Sequence, residues 1–242
     1  MILQKFSYFT LFLQNKDRHK ADNDWETSLQ TFVPEIMPFI AEPTMPFLCD
    51  LFGIKTEFTE LKDMTQWRQV KKLTLNSPMV NRSWLKLLAS MIQLEELDLS
   101  DCTEIRGDYQ TGLPDLGEMS QLKILRLNRC LKISNFDLGF LLHLKKLEVL
   151  SVSGYPKMHG ESVKMFGTVS TLRELDISYG GLVMDSALRF LIPLSHLHTL
   201  NITGCDNLTV GAVEYLRDIP NLRHLHANDN IKAAFEKYKT HD

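Results

Sequence analysis

The sequence has no apolar run near the roughly 20 residues that a membrane-spanning helix needs. Its best candidate, Phe6 to Leu13, is too short to span and lacks the small-residue cleavage site of a secretory signal. Positive charge is not in surplus: 27 Lys and Arg against 30 Asp and Glu give a net charge of −3, so the basic footprint of a nucleic-acid binder is missing. There are only 4 cysteines in 242 residues and no Cys-x-x-Cys spacing, which argues against a disulfide scaffold and a zinc ribbon. Also lacking are a phosphate-cradling glycine loop, a Gly-x-Ser-x-Gly elbow and a His-Glu-x-x-His helix. The chain is expected to be non-catalytic, with no cofactor and no metal.

What is present is a repeat. Apolar-x-x-apolar-x-apolar recurs at Val70/Leu73/Leu75, Leu94/Leu97/Leu99, Leu122/Leu125/Leu127 and Leu147/Leu150/Val152, then at Leu172/Leu175/Ile177, Leu197/Leu200/Ile202 and Leu222/Leu225/Ala227. The seven copies start 24, 28, 25, 25, 25 and 25 residues apart. Each opens with a short strand whose alternating apolar residues face inward. Three residues past the last ladder position stands Pro78, Cys102, Cys130, Tyr155, Gly180, Cys205 or Asn230, where the chain bends. Helical stretches such as 84–88, 136–142, 186–192 and 210–216 then return with apolar spacing of three to four.

Three segments carry a family likeness: Leu-Glu-Glu-Leu-Asp-Leu-Ser-Asp-Cys-Thr-Glu-Ile at 94–105, Leu-Lys-Ile-Leu-Arg-Leu-Asn-Arg-Cys-Leu-Lys-Ile at 122–133 and Leu-His-Thr-Leu-Asn-Ile-Thr-Gly-Cys-Asp-Asn-Leu at 197–208. They resemble the cysteine-containing leucine-rich repeats, similar to the repeat domain of F-box proteins. That resemblance implies an α/β solenoid, a horseshoe of about seven repeats over residues 69–230. A parallel sheet would line its concave side and helices its convex side. Tyr155 and Gly180 depart from the cysteine. Residues 231–242 read as an amphipathic C-terminal cap helix. Cys102, Cys130 and Cys205 fall at equivalent inward positions and are expected to be reduced core thiols, which favours an intracellular reducing compartment: cytoplasm, nucleus or mitochondrial matrix. The sequons at Asn81, Asn201 and Asn207 are then chance matches.

A partner is expected on the concave face. The column before the last ladder position reads Thr74, Asp98, Arg126, Ser151, Asp176, Asn201 and His226, and is varied and charged. The column after it reads Asn76, Ser100, Asn128, Ser153, Ser178, Thr203 and Asn228, small and polar throughout, as solvated sheet positions would be. Glu95, Glu96, Asp98 and Asp101 make the second repeat acidic, and Lys123, Arg126 and Arg129 make the third basic. Asp98 and Arg126 are lateral neighbours expected to pair, worth roughly 0–1 kcal/mol if exposed. Candidate partner-binding residues are Glu96, Asp98, Arg126, Arg129, Asp176, Tyr179, His224 and His226, with Tyr179 and Arg126 as anchors. The pair His224 and His226, with His198 one repeat earlier, invites a metal reading, but no carboxylate geometry matches it and surface histidines are expected.

Outside the repeats, residues 1–20 form a basic segment of four cations and one anion, net +3, while residues 21–64 hold two lysines against nine acids, net −7. The first segment reads as a mitochondrial targeting sequence or an N-terminal tail. Residues 21–68 read as a small, mostly helical cap or a degenerate F-box-like region. Val33-Pro34-Glu35-Ile36 and Met45-Pro46-Phe47-Leu48 carry the F-box likeness; Pro38 and the segment Gly53 to Phe58 depart from it. As a cap, the region would lay Trp67, Phe47 and Leu51 against Val70 and Leu73. Three readings of function follow: an interaction scaffold, including an F-box-like substrate adaptor bound to a cullin–RING ligase; a mitochondrial assembly or structural factor of a respiratory or ATP synthase complex; and a bacterial effector with eukaryotic-type repeats. Protein partners, no nucleic acid and no membrane span are common to them.

Overall fold

The computed structural model describes residues 55–56, 69–78, 80, 82–89, 91–107 and 113–239. The basic segment 1–20, the F-box-like stretches, Cys49 and the proposed packing of Phe47, Leu51 and Trp67 lie outside the described residues. The architecture is α/β. Strands β2 (Lys72–Thr74), β3 (Glu96–Asp98), β4 (Ile124–Arg126), β5 (Val149–Ser151), β6 (Glu174–Asp176), β7 (Thr199–Asn201) and β8 (His224–His226) run parallel in sequence order. This one-after-another order fits a solenoid, because each repeat pairs only with its neighbours.

The register follows from the period of two. Each strand is three residues long, so its central residue points one way and the flanking two the other. Leu73, Leu97, Leu125, Leu150, Leu175, Leu200 and Leu225 occupy the centres and are register partners across the whole sheet. All seven are buried and form the spine of one continuous core. A one-residue slip anywhere would turn a leucine to solvent, so the register is tightly specified.

Past each strand the backbone makes the same bend. Two residues beyond the last ladder position stand Asp101, Arg129, Gly154, Tyr179 and Gly204, every one with positive φ, between 57° and 75°. The next residue then buries itself. Cys102, Cys130 and Cys205 are fully buried free thiols, and each Sγ donates to a carbonyl of the preceding repeat: Leu75, Leu99 and Ile177, at 3.2, 3.0 and 3.3 Å. A thiol therefore satisfies a carbonyl that the bend removes from the ladder. Burial pushes the Cys102 thiol up to about 12 and Cys205 to about 11. Tyr155, at the same position in the fourth repeat, is buried with its hydroxyl unpartnered among the described residues.

The return path is a mixture of α and 3-10 helix. It comprises α1 (Arg82–Ala89), α2 (Pro114–Gly117), a 3-10 helix Phe136–His143, α3 (Gly160–Phe166), a 3-10 helix Asp185–Leu191, and a 3-10 turn Val210–Ala212 leading into α4 (Val213–Leu216). With only about 25 residues per repeat, one or two helical turns are all that fit between strands. Where α3 packs on the following 3-10 helix, Gly167 lets the backbones touch: a Cβ there would overlap the carbonyl oxygen of Phe190.

Both ends of the sheet differ from the sequence reading. At the first edge, β1 (Lys55–Thr56) pairs antiparallel with β2, in a segment expected to be helical or F-box-like. A strand there meets the unpaired backbone groups of β2, which a helix would leave exposed. At the other end α5 (Asp229–Lys239) begins two residues earlier than expected, taking Asn230 out of the bend column. It buries Ile231 and Phe235 against the last repeat. Among the described residues no helix is long and apolar enough to cross a membrane.

Candidate functional site

Because the strand centres face the core, the flanking residues stand on the open face of the sheet. That places Glu96, Asp98, Arg126, Asp176, His224 and His226 on one surface. Arg129 and Tyr179 lie three residues past their strands, on the left-handed bends.

Half of this surface is already committed to itself. Acidic and basic side chains of the second and third repeats meet each other as four rungs, three of them between residues named above for the expected binding surface and one between Lys132 and Glu104. Lys123 Nζ reaches Glu95 at 2.6 Å, Arg126 Nη1 reaches Glu96 at 2.7 Å and Lys132 Nζ reaches Glu104 at 2.5 Å. Arg129 grips Asp101 with two parallel bonds of 2.6 Å. Lys71 and Lys72 approach Glu95 and Glu96 from the first repeat at 3.5 and 3.3 Å. The hydrogen bonds from Lys123, Arg126 and Arg129 hold the carboxyls of Glu95, Glu96 and Asp101 below their ordinary values.

The expected Asp98–Arg126 pair does not form, although the two are register partners. Asp98 Oδ1 instead accepts the Ser100 N–H at 2.9 Å, and Arg126 turns to Glu96. The same local turn recurs where Asp176 accepts from Ser178 N and Asn201 from Thr203 N, at 2.9 and 3.1 Å. Several residues of the charged column thus stabilise the strand exit before they can serve a ligand. The small polar column is likewise more than a solvated face. Asn128 Oδ1 accepts from Ser151 Oγ and Ser153 N, Asn228 Oδ1 accepts from Gly204 N, and Ser178 is buried.

The other half of the face holds a depression of about 270 Å³. Arg126 stands at one side, Ser151 on β5, Glu174 and Asp176 on β6, Thr199 and Asn201 on β7, and His226 on β8 at the other. From the sequence-derived set it brings together Arg126, Asp176 and His226. Glu96, Asp98, Arg129, Tyr179 and His224 are not among its lining residues, while Ser151 and Asn201, already read as outward-facing, and Glu174 and Thr199 were not singled out as partner-binding. The signal for those four was in the alternation: each flanks a central leucine in the same strands. Among the described residues no cluster of three His, Cys, Asp or Glu side chains has the arrangement to hold a metal ion.

No family model matches the chain. Over 149 residues it is 31% identical to a Trypanosoma equiperdum protein named "Putative adenylate cyclase regulatory protein", an alignment covering 62% of this chain and 22% of that protein. The chain thus spans less than a quarter of the length of the curated relative it matches.

Proposed function

We propose that the chain is a non-catalytic protein-interaction module of the leucine-rich repeat type, and that its partner docks on the open face of the sheet across β5 to β8. The observation that carries this reading is the depression lined by polar side chains from five adjacent strands, β4 to β8, mounted on a rigid leucine spine. A broad face of this kind spreads polar groups across repeats, which suits recognition of another protein better than convergence on one reacting atom. The name of the matched trypanosome protein supports a regulatory use of such a face. The three buried free thiols support a reducing compartment, cytoplasm or nucleus, with mitochondrion as the alternative. Substrate-adaptor and mitochondrial roles rest on residues 1–64. Cullin–RING co-purification lost on deletion of 21–64 would support the first, and mitochondrial import of a fluorescent fusion the second.

The test of the docking face is affinity capture from native cells with quantitative mass spectrometry. Wild type is compared with Asn201→Arg on the open face and Glu214→Arg in α4. Loss of a discrete set of proteins with the first variant only is expected; an unchanged set with Asn201→Arg refutes docking on this face.

A further inference from the structure

Resting on that reading, the structure narrows the chemistry of the partner. Charge on the open face is unevenly satisfied. On the second and third repeats Glu95, Glu96 and Asp101 are each held by a lysine or arginine. On β6 the situation reverses: Glu174 and Asp176 both line the depression, and neither makes an ion pair among the described residues. Asp176 spends one oxygen on the Ser178 N–H, and the other makes no hydrogen bond among the described residues. Arg126, a cation lining the same depression, already engages Glu96 at 2.7 Å. The depression therefore holds two carboxylates against the one guanidinium of Arg126, which Glu96 already engages. An anionic ligand such as nucleic acid would be repelled, whereas an ammonium or guanidinium group supplies the missing half.

An independent observation lies on the same repeat. Tyr179, three residues beyond Asp176, holds φ of 57° and is 61% exposed. A bulky side chain in that conformation is strained. Of the other two non-glycine residues so placed, Asp101 and Arg129 share a bidentate ion pair. Tyr179 makes no such bond among the described residues; the Cδ1–Cε1 edge of its ring lies beside Gly204, which has no side chain to push it away. The strained bend fixes an aromatic ring, open to solvent, at the end of the acidic strand.

We propose that the open face binds an extended, lysine- or arginine-bearing segment of a partner protein. The cationic head enters the depression against Glu174 and Asp176, and a neighbouring part of the segment rests on the Tyr179 ring. Carboxylate and aromatic surface together are the chemistry that selects a guanidinium over a neutral side chain.

The test uses the full chain and fluorescence anisotropy with two labelled octapeptides, one alternating glycine and arginine, the other glycine and glutamate, in about 0.15 M salt so that long-range attraction is screened. The arginine peptide is expected to bind and the glutamate peptide not. Glu174→Gln with Asp176→Asn, which preserves the side-chain acceptor for Ser178, should weaken binding at least about tenfold. Tyr179→Ala should weaken it about threefold or more, and Glu214→Gln should leave it unchanged. Circular dichroism and urea midpoints for each variant separate lost binding from lost folding. No arginine-peptide binding, an equal loss with Glu214→Gln, or full displacement by spermine at equal charge concentration overturns the proposal. If Asn201→Arg still abolishes partner capture while the arginine peptide fails to bind, the docking face stands and its cationic partner falls; if the peptide binds and capture is unaffected, the reverse holds.

Discussion

Replacing Gly204 by alanine isolates the contact that holds Tyr179 in place. Gly204 has φ of 69°, and an added Cβ would lie 2.5 Å from Tyr179 Cδ1 and 2.6 Å from Cε1. Three effects follow. The left-handed backbone costs an L-residue about 1–2 kcal/mol. Restricting the unfolded chain returns about 0.4–1 kcal/mol. Overlap with the ring adds about 1–3 kcal/mol unless the ring swings away. The net loss is expected to be about 2–4 kcal/mol. With Tyr179→Ala already in place the overlap vanishes and only the first two effects remain, about 1 kcal/mol. The pair should therefore couple by about 1–3 kcal/mol in a double-mutant cycle built from urea unfolding curves of constant slope. If Gly204→Ala costs the same in both backgrounds, to within about 0.5 kcal/mol, the ring does not rest on Gly204 and the reasoning is wrong.

Three further outcomes are expected. Stability should fall as pH rises above about 8.5, the thiol value in an unfolded chain, and go on falling toward the native values of about 11 for Cys205 and 12 for Cys102, because the folded state keeps protons that the unfolded state releases. Each buried thiol then contributes a loss of about 1.4 kcal/mol per pH unit, so urea midpoints of a Cys102→Ala, Cys205→Ala variant should fall less steeply between pH 9 and 10.5; parallel profiles would refute this. Glu96→Gln should cost about 1 kcal/mol by leaving the half-buried Arg126 with a neutral acceptor in place of its carboxylate partner at 2.7 Å, whereas Asp176→Asn should cost almost nothing, as read by thermal unfolding. Phe235→Ser should release a ring that is 4% exposed and cost about 2–4 kcal/mol, with hydrogen exchange accelerating in 210–226 before it does so near β3.

The ladder was legible because burial imposes it. A leucine at the centre of a three-residue strand has nowhere else to go, and seven of them in phase leave one register. The thiols were legible for the same reason, since their bend position is internal. Two features were not. The left-handed column reads Asp101, Arg129, Gly154, Tyr179, Gly204, and only its glycines advertise positive φ; the other three are held by contacts with adjacent repeats that exist only once the repeats are stacked. Side-chain pairing across repeats was similarly hidden. Lateral alignment pointed to Asp98 with Arg126, but the Asp98 carboxylate is drawn to a backbone N–H two residues away, and the arginine takes the diagonal instead. Short-range hydrogen bonds won over the lateral charge pair.

The distribution of charge along the open face also bears on why the depression lies where it does. The interval between the second and third repeats is 28 residues, not 25, but closing a loop longer by that ratio costs only about 0.1 kcal/mol. Loop length alone therefore does not call for four ion pairs. The described return element of the second repeat is short: α2 has four residues, whereas the return elements on either side have eight. Four exposed or half-exposed pairs add side-chain contact across the interface between the second and third repeats. A ligand competing for those side chains would have to break the pairs and weaken the solenoid as it bound. Beneath β6 the fourth and fifth repeats are joined by the closely packed α3 and its 3-10 neighbour, and neither Glu174 nor Asp176 makes an ion pair across the stack among the described residues. Glu174 and the second Asp176 oxygen make no ion pair among the described residues, so a partner can engage them without breaking one, and that is where the open face keeps them.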